Sequence, residues 1–176
     1  MSGNSIVLGT HVLEAEILPA QGGRIGCFRV LEDGDATEIF TPYAMQPQGG
    51  PAYGAFPMIP YSHRIRQGAF AFAGHRYTLP ADSTNHPHVM HGVCRDIPWQ
   101  VVALSKGSLH LRTHYEGHRW PWRIRADQYV ELMANRLTVT LSLTNLGTLP
   151  MPAGLGFHPY FSATEARYVA FSADVQ

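Results

Sequence analysis

Apolar and polar positions alternate along most of the chain with a period of two, the signature of strands with one buried face. Leu137, Val139, Leu141 and Leu143 alternate without a break with Thr138, Thr140, Ser142 and Thr144. This segment, 136–144, pairs in pattern with 122–132 across Ala134-Asn135. Further strands are predicted at 6–8, 12–18, 24–30, 36–40, 69–72, 75–79, 99–104 and 109–115. Turn chemistry separates them: Gln21-Gly22-Gly23, Asp33-Gly34-Asp35, Ala73-Gly74, Lys106-Gly107 and Asn145-Leu146-Gly147. No window sustains a 3.6-residue period over three turns. Short strands at this spacing predict an all-β fold, an antiparallel sandwich.

Two segments interrupt the pattern. Residues 42–60 hold five prolines and several glycines and are predicted to form an ordered but irregular loop. Residues 168–176 begin a new apolar stretch that stops without a turn signal. A sheet ending there leaves an edge unpaired and a face uncovered. The sequence therefore reads as a single domain, 1–176, truncated at its C-terminus.

Composition narrows the function. The chain has 176 residues, 45% hydrophobic and 15% charged, enough for one core and too apolar for a disordered chain. Thirteen basic and thirteen acidic residues cancel, with no basic stripe for nucleic acid. The start, Met-Ser-Gly-Asn-Ser-Ile, lacks a signal peptide's basic and apolar regions, and no apolar run reaches about 18 residues. A cytoplasmic protein with no membrane contact is expected. Cys27 and Cys94 make no disulfide framework and read as free, partly buried thiols.

Ten histidines are many for this length, and they are unevenly placed. His11, His75, His110, His114 and His118 fall in strand or turn contexts and are expected at the surface. The others gather in two Pro/Gly-rich pieces that read as loops, where functional groups concentrate. One runs from Tyr53 to Arg95 and carries His63-Arg64 and His86-Pro-His88-Val-Met-His91-Gly92. The other is Gly154-Leu-Gly156-Phe157-His158-Pro159-Tyr160-Phe161. The two pieces are expected to meet and form a site. His158, boxed by aromatics and fixed by Pro159, reads as a general acid, with a core histidine as the alternative. His91 reads as a neutral hydrogen-bond donor to substrate. Arg64 offers a permanent fork of donors, or a surface ion pair. His86, His88 and His91 have a spacing that suits a metal, but no nearby Cys or Glu completes a ligand set, so no metal and no cofactor are expected. Trp99, Trp120, Trp122 and Tyr160 are core candidates, one of which could floor a sugar site.

From Gly22 to the last residue, the sequence resembles the aldose 1-epimerase (galactose mutarotase) family. Gly22-Gly23-Arg24-Ile25 is similar to its early Gly-Gly strand start. Pro60-Tyr61-Ser62-His63-Arg64-Ile65 is similar to its Pro-Tyr-x-Asn-Arg-Ile loop, and residues 85–92 to its Asn-His-x-His-Gly segment with an insertion. Gly156-Phe157-His158-Pro159-Tyr160-Phe161 resembles Gly-x-His-Pro-Tyr-Phe. The resemblance implies a β-supersandwich and interconversion of the α and β anomers of a free aldose such as glucose or galactose. It implies that His158 protonates the ring oxygen, that His91 assists there, and that Arg64, with His63 and Tyr160 beside it, binds the sugar. His63 stands where the family has Asn, which alters the hydroxyl pattern the loop selects. The family's base, a C-terminal glutamate, and its substrate-binding aspartate have no counterpart in 1–176, and Glu116, Glu131 and Glu165 lie in the wrong context. An epimerase whose 176-residue chain is inactive alone is the expectation. The alternatives are a non-catalytic carbohydrate-binding sandwich and a cupin-like metalloprotein built on His86, His88 and His91.

Overall fold

A computed structural model describes residues 5–44, 53–81, 87–163 and 170. It is built almost wholly of antiparallel strands, as the period-two pattern requires. In chain order they are β1 (Ile6–Gly9), β2 (Leu13–Leu18), β3 (Arg24–Glu32), β4 (Asp35–Glu38), β5 (Ala55–Met58), β6 (Arg64–Ile65), β7 (Ala69–Phe72) and β8 (His75–Thr78). They continue with β9 (Val89–Met90), β10 (Gln100–Leu104), β11 (Ser108–Gly117), β12 (Trp120–Met133), β13 (Arg136–Asn145) and β14 (Gly156–Pro159).

Two larger sheets enclose the core. One runs β1-β2-β3-β5-β14, with β4 also paired to β3; the other runs β10-β11-β12-β13. Two-stranded pairs β6-β9 and β7-β8 complete the strands described. Leu13, Ala15 and Ile17 of β2 belong to the same buried cluster as Leu109 and Leu111 of β11 and Ile124, Ala126, Val130 and Leu132 of β12. Burying this apolar surface, at about 25 cal/mol per Å², is the main force holding the sheets together. A polar link joins β12 to the turn before β3: the fully buried Gln128 donates from Nε2 to the Gly23 carbonyl at 2.9 Å.

The hairpin through Ala134-Asn135 forms as expected, in register from Ile124↔Asn145 to Met133↔Arg136. Ala73-Gly74 likewise joins β7 to β8. Three expectations need correcting. The 42–60 segment is not wholly irregular, because it contains β5. The 154–161 piece is not wholly a loop, because Gly156–Pro159 is β14, paired along β5. His110 is not a surface residue: its Nε2 lies 2.7 Å from Asp127 Oδ1, and its side chain is 15% exposed. Except for Ala170, the 168–176 stretch lies outside the described residues.

Candidate active site

The site is organised by the pairing of β5 with β14. Their register sets Phe56 opposite His158, and directly opposed residues on one sheet face bring their side chains together. The His158 imidazole lies flat against the Phe56 ring, centroids 4.9 Å apart and planes 12° apart. Tyr160, just past the strand, covers His158 with its ring at 4.7 Å, and Tyr53 meets Tyr160 edge-on at 5.6 Å.

His91 reaches this cluster by a different route. The pairing of β6 with β9 aligns Arg64 with Met90, and the chain then turns sharply through His91 and Gly92. His91 has φ +63° and Gly92 φ +71°. A side chain at Gly92 would overlap the Ile59 carbonyl, so only glycine lets the turn lie this close to the end of β5. The same carbonyl accepts the Val93 and Cys94 amides at 2.8 and 3.2 Å, which hangs the turn on β5. The His91 amide donates to the His63 carbonyl at 2.9 Å, and His63 is also left-handed, with φ +60°. Non-glycine residues held there cost on the order of 1–3 kcal/mol each and collect at functional sites.

The two imidazoles therefore meet edge to face, centroids 5.0 Å apart at 73°. The Nδ1 atoms of both are enclosed and lack a hydrogen-bond partner. On each ring Nε2 is thus the nitrogen left open to a substrate. His91 is held well below the usual histidine range, at about 4, by burial first and then by the positive charges of Arg95, His158, Arg64 and His63. It is a neutral ring at neutral pH.

Arg64 and His63 are exposed at the rim, close enough for their charges to act on His91. Thus Arg64, His63, His91, His158 and Tyr160 all belong to one neighbourhood. No carboxylate among the described residues hydrogen-bonds either central histidine. The metal reading finds no geometric support: His88 turns its Nδ1 to accept the Gln67 amide at 3.0 Å, and His86 lies outside the described residues. Among the described residues, no cluster of His, Cys, Asp and Glu is arranged to hold a metal ion. Both cysteines are buried and free, with thiols pushed up to about 12 chiefly by burial, which rules out a resting thiolate nucleophile. All three tryptophans are buried in the core.

Three residues at the site were not singled out from the sequence. Phe56 is the ring on which His158 stacks and which His91 meets edge-on. The Arg24 guanidinium sits 4.7 Å from the Phe56 centroid and 5.0 Å from that of Tyr43, and donates to the Tyr53 carbonyl at 2.7 Å. The Arg95 guanidinium lies 5.8 Å from the Phe56 centroid. The available signals were Gly22-Gly23 before Arg24, and the position of Arg95 four residues after His91.

The aldose 1-epimerase family profile matches residues 5–175. The chain belongs to the aldose 1-epimerase family. Two Escherichia coli K12 proteins of uncharacterised function are similar in sequence. YphB is 38% identical over 106 residues, covering 60% of this chain and 36% of that protein. YihR is 28% identical over 107 residues, covering 60% and 35%. Among solved structures, a putative aldose 1-epimerase from E. coli K12 superposes with a TM-score of 0.77 at 30% identity, over 90% of this chain and 52% of that one. A galactose mutarotase-like protein from Lactobacillus casei gives 0.72 at 19% identity, over 90% and 50%, and shows the shared fold. The all-β architecture is thus the antiparallel β-supersandwich of galactose mutarotase-like proteins. The chain spans about half the length of these solved relatives. Among the described residues, no helix is long and apolar enough to cross a membrane.

Proposed function

We propose that this protein takes part in aldose 1-epimerisation, opening the ring of a free aldose and closing it on the other anomer. The observation that carries the reading is the edge-to-face pair His91 and His158, ring centroids 5.0 Å apart, with both Nδ1 atoms enclosed. Opening the ring breaks the C1–O5 bond. A proton is delivered to the ring oxygen while another is taken from the C1 hydroxyl, leaving an open-chain aldehyde. Rotation about C1–C2 and the reverse transfers give the other anomer, with no net change in protons.

In this scheme His158, as the imidazolium, gives its Nε2 proton to the ring oxygen and is left neutral, and neutral His91 donates a hydrogen bond from Nε2 to the same atom. A positioned acid or base typically contributes about 10²–10⁴-fold. Arg64, with His63 and Tyr160, binds hydroxyls at the rim. The base at the C1 hydroxyl is the family's glutamate, which has no counterpart within 1–176. The 176-residue chain alone is therefore proposed to bind sugar and to exchange anomers no faster than buffer. Binding without catalysis is the second reading, favoured by the lack of a carboxylate hydrogen-bonded to the pair among the described residues. Exchange NMR on glucose and galactose with a protein extended past Gln176 tests the proposal. Exchange above buffer supports the epimerase; saturable binding without exchange supports the binding module.

A further inference from the structure

A groove crosses the strands on the outward face of the β10–β13 sheet, and register sets its course. Ala103, His110, Tyr129 and Thr140 are successive cross-strand partners from β10 to β13 and form one wall. Ser108 and Glu131, partnered two residues along, form the other. Alternation turns Leu109, Leu111, Val130 and Leu132 into the core, so the side chains of the walls point away from it. The cleft between the walls is about 250 Å³, room for a single pyranose ring.

The first wall is stiff. Tyr129 is 40% exposed, yet its ring lies on the His110 imidazole, centroids 4.1 Å apart and planes 18° apart. His110 Nε2 is fixed in turn by Asp127 Oδ1 at 2.7 Å. Asp127 is 3% exposed and is gripped by Arg112 and Arg125 behind the wall, on the side away from Ser108 and Glu131. An aromatic ring already held in place loses little freedom when a ligand settles on it. On the second wall, Ser108 Oγ lies 2.7 Å from Ser105 Oγ, which holds that hydroxyl as well.

The lining discriminates among ligands. Among the described residues it holds one carboxylate and no arginine or lysine, so nothing in it favours an anion. A peptide joining the sheet as a new strand needs unpaired main-chain groups, and β11 and β12 are paired on both sides. A wholly apolar ligand would strip water from Glu131, Ser108 and Thr140 and give nothing back. A sugar ring answers every group present. Its C–H face packs on an aromatic ring, and its hydroxyls donate to a carboxylate and exchange hydrogen bonds with serine and threonine.

We infer that this groove binds a neutral oligosaccharide, one ring of which lies against Tyr129 between the two walls. None of its residues belongs to the histidine neighbourhood, and the inference does not rest on the epimerase reading.

Backbone-amide NMR of the 176-residue chain, titrated with maltotetraose, cellotetraose and galactotetraose, tests it. At least one of them should shift the amides of His110, Tyr129, Glu131 and Thr140 saturably. Tyr129→Ala should weaken that binding at least about tenfold, whereas Tyr129→Phe, which keeps the ring, should stay within about threefold. Glu131→Ala, at an exposed position, should weaken it roughly fivefold by removing an acceptor. Cooperative thermal melting verifies that each variant is folded. Undiminished binding by Tyr129→Ala overturns the inference, as does the lack of any shift at the groove with all three glycans. Shifts confined to the surroundings of His91 and His158 overturn it too, and leave the epimerase reading standing. Inorganic phosphate moving the groove amides as far as the glycans do would mark an anion site and likewise overturn it.

Discussion

His158 lies flat on Phe56 because the β5–β14 register places the two residues opposite each other, with ring planes 12° apart. Phe56 is 4% exposed and carries the histidine on a rigid platform rather than on a mobile loop. Phe56→Leu should keep the fold and loosen His158, lowering kcat in the extended protein with little change in KM. Phe56→Ala should also cost about 3–5 kcal/mol of stability by opening a cavity. Urea denaturation with exchange kinetics on both variants separates these effects. Equal losses of kcat and stability for Leu and Ala would mean that the ring only fills space.

His91 should be neutral throughout the physiological range. Its folded pKa of about 4 lies below the 6.5 of an ordinary histidine, so between those values the unfolded chain binds a proton that the folded one rejects. The sign follows: this contribution to stability is complete above pH 6.5 and is lost as pH falls toward 4. NMR titration of the His91 ring protons, assigned by comparison with His91→Gln, should show no transition near 6.5. A midpoint there would contradict the buried, positively surrounded environment.

Two glycines with the same backbone sign should respond differently to alanine. Gly74, φ +78°, has nothing near its missing Cβ, so Gly74→Ala should cost about 1–2 kcal/mol for the left-handed backbone alone. Gly92→Ala meets the Ile59 carbonyl as well and should cost more than about 3 kcal/mol and displace His91. Similar denaturation midpoints for the two variants would show that the turn at Gly92 is not closely packed on β5.

Away from the site, Asp127 is held by His110 Nε2 at 2.7 Å, Arg112 Nε at 2.7 Å and Arg125 Nε at 3.1 Å. Burial alone raises its pKa, but the hydrogen bonds from His110 and Arg112 and the arginine charges outweigh this and hold it below the ordinary value. Its contribution is therefore present above the unfolded carboxylate pKa and lost as pH falls through the lowered folded value. Asp127→Asn should leave the cations uncompensated and cost about 2 kcal/mol at neutral pH, with a smaller penalty in acid. A variant equally destabilised at pH 7 and pH 3 would argue against the ion cluster.

The long strands were legible because β12 and β13 repeat their apolar positions over ten residues or more and turn on two residues. At the site, β5 and β14 are only four residues long and carry Pro57 and Pro159, and β6 and β9 are two residues each. A period of two cannot be distinguished from a loop over so short a span, and proline points toward a loop. His91 and His158 stood out by composition, being histidines among glycine, proline and aromatics. Arg24 did not, because alternation along β3 reads it as a solvent-facing residue. In the fold, residues 24–28 are buried on both faces of the strand, and Arg24 is 9% exposed against Phe56. His110 was misplaced for the opposite reason: its partner Asp127 lies 17 residues away, and only the register of β11 with β12 brings them together.

The central claim is that His158 is the acid of an anomer-exchange reaction. The most direct measurement is magnetisation-exchange NMR between the α and β C1 protons, using glucose and galactose. It compares the 176-residue chain, a version extended past Gln176, and that version carrying His158→Ala. The account predicts exchange above buffer only in the extended protein, falling at least about 10²-fold in His158→Ala. Exchange that survives His158→Ala would contradict the assignment of the acid. Exchange by the 176-residue chain itself would place the base within these residues.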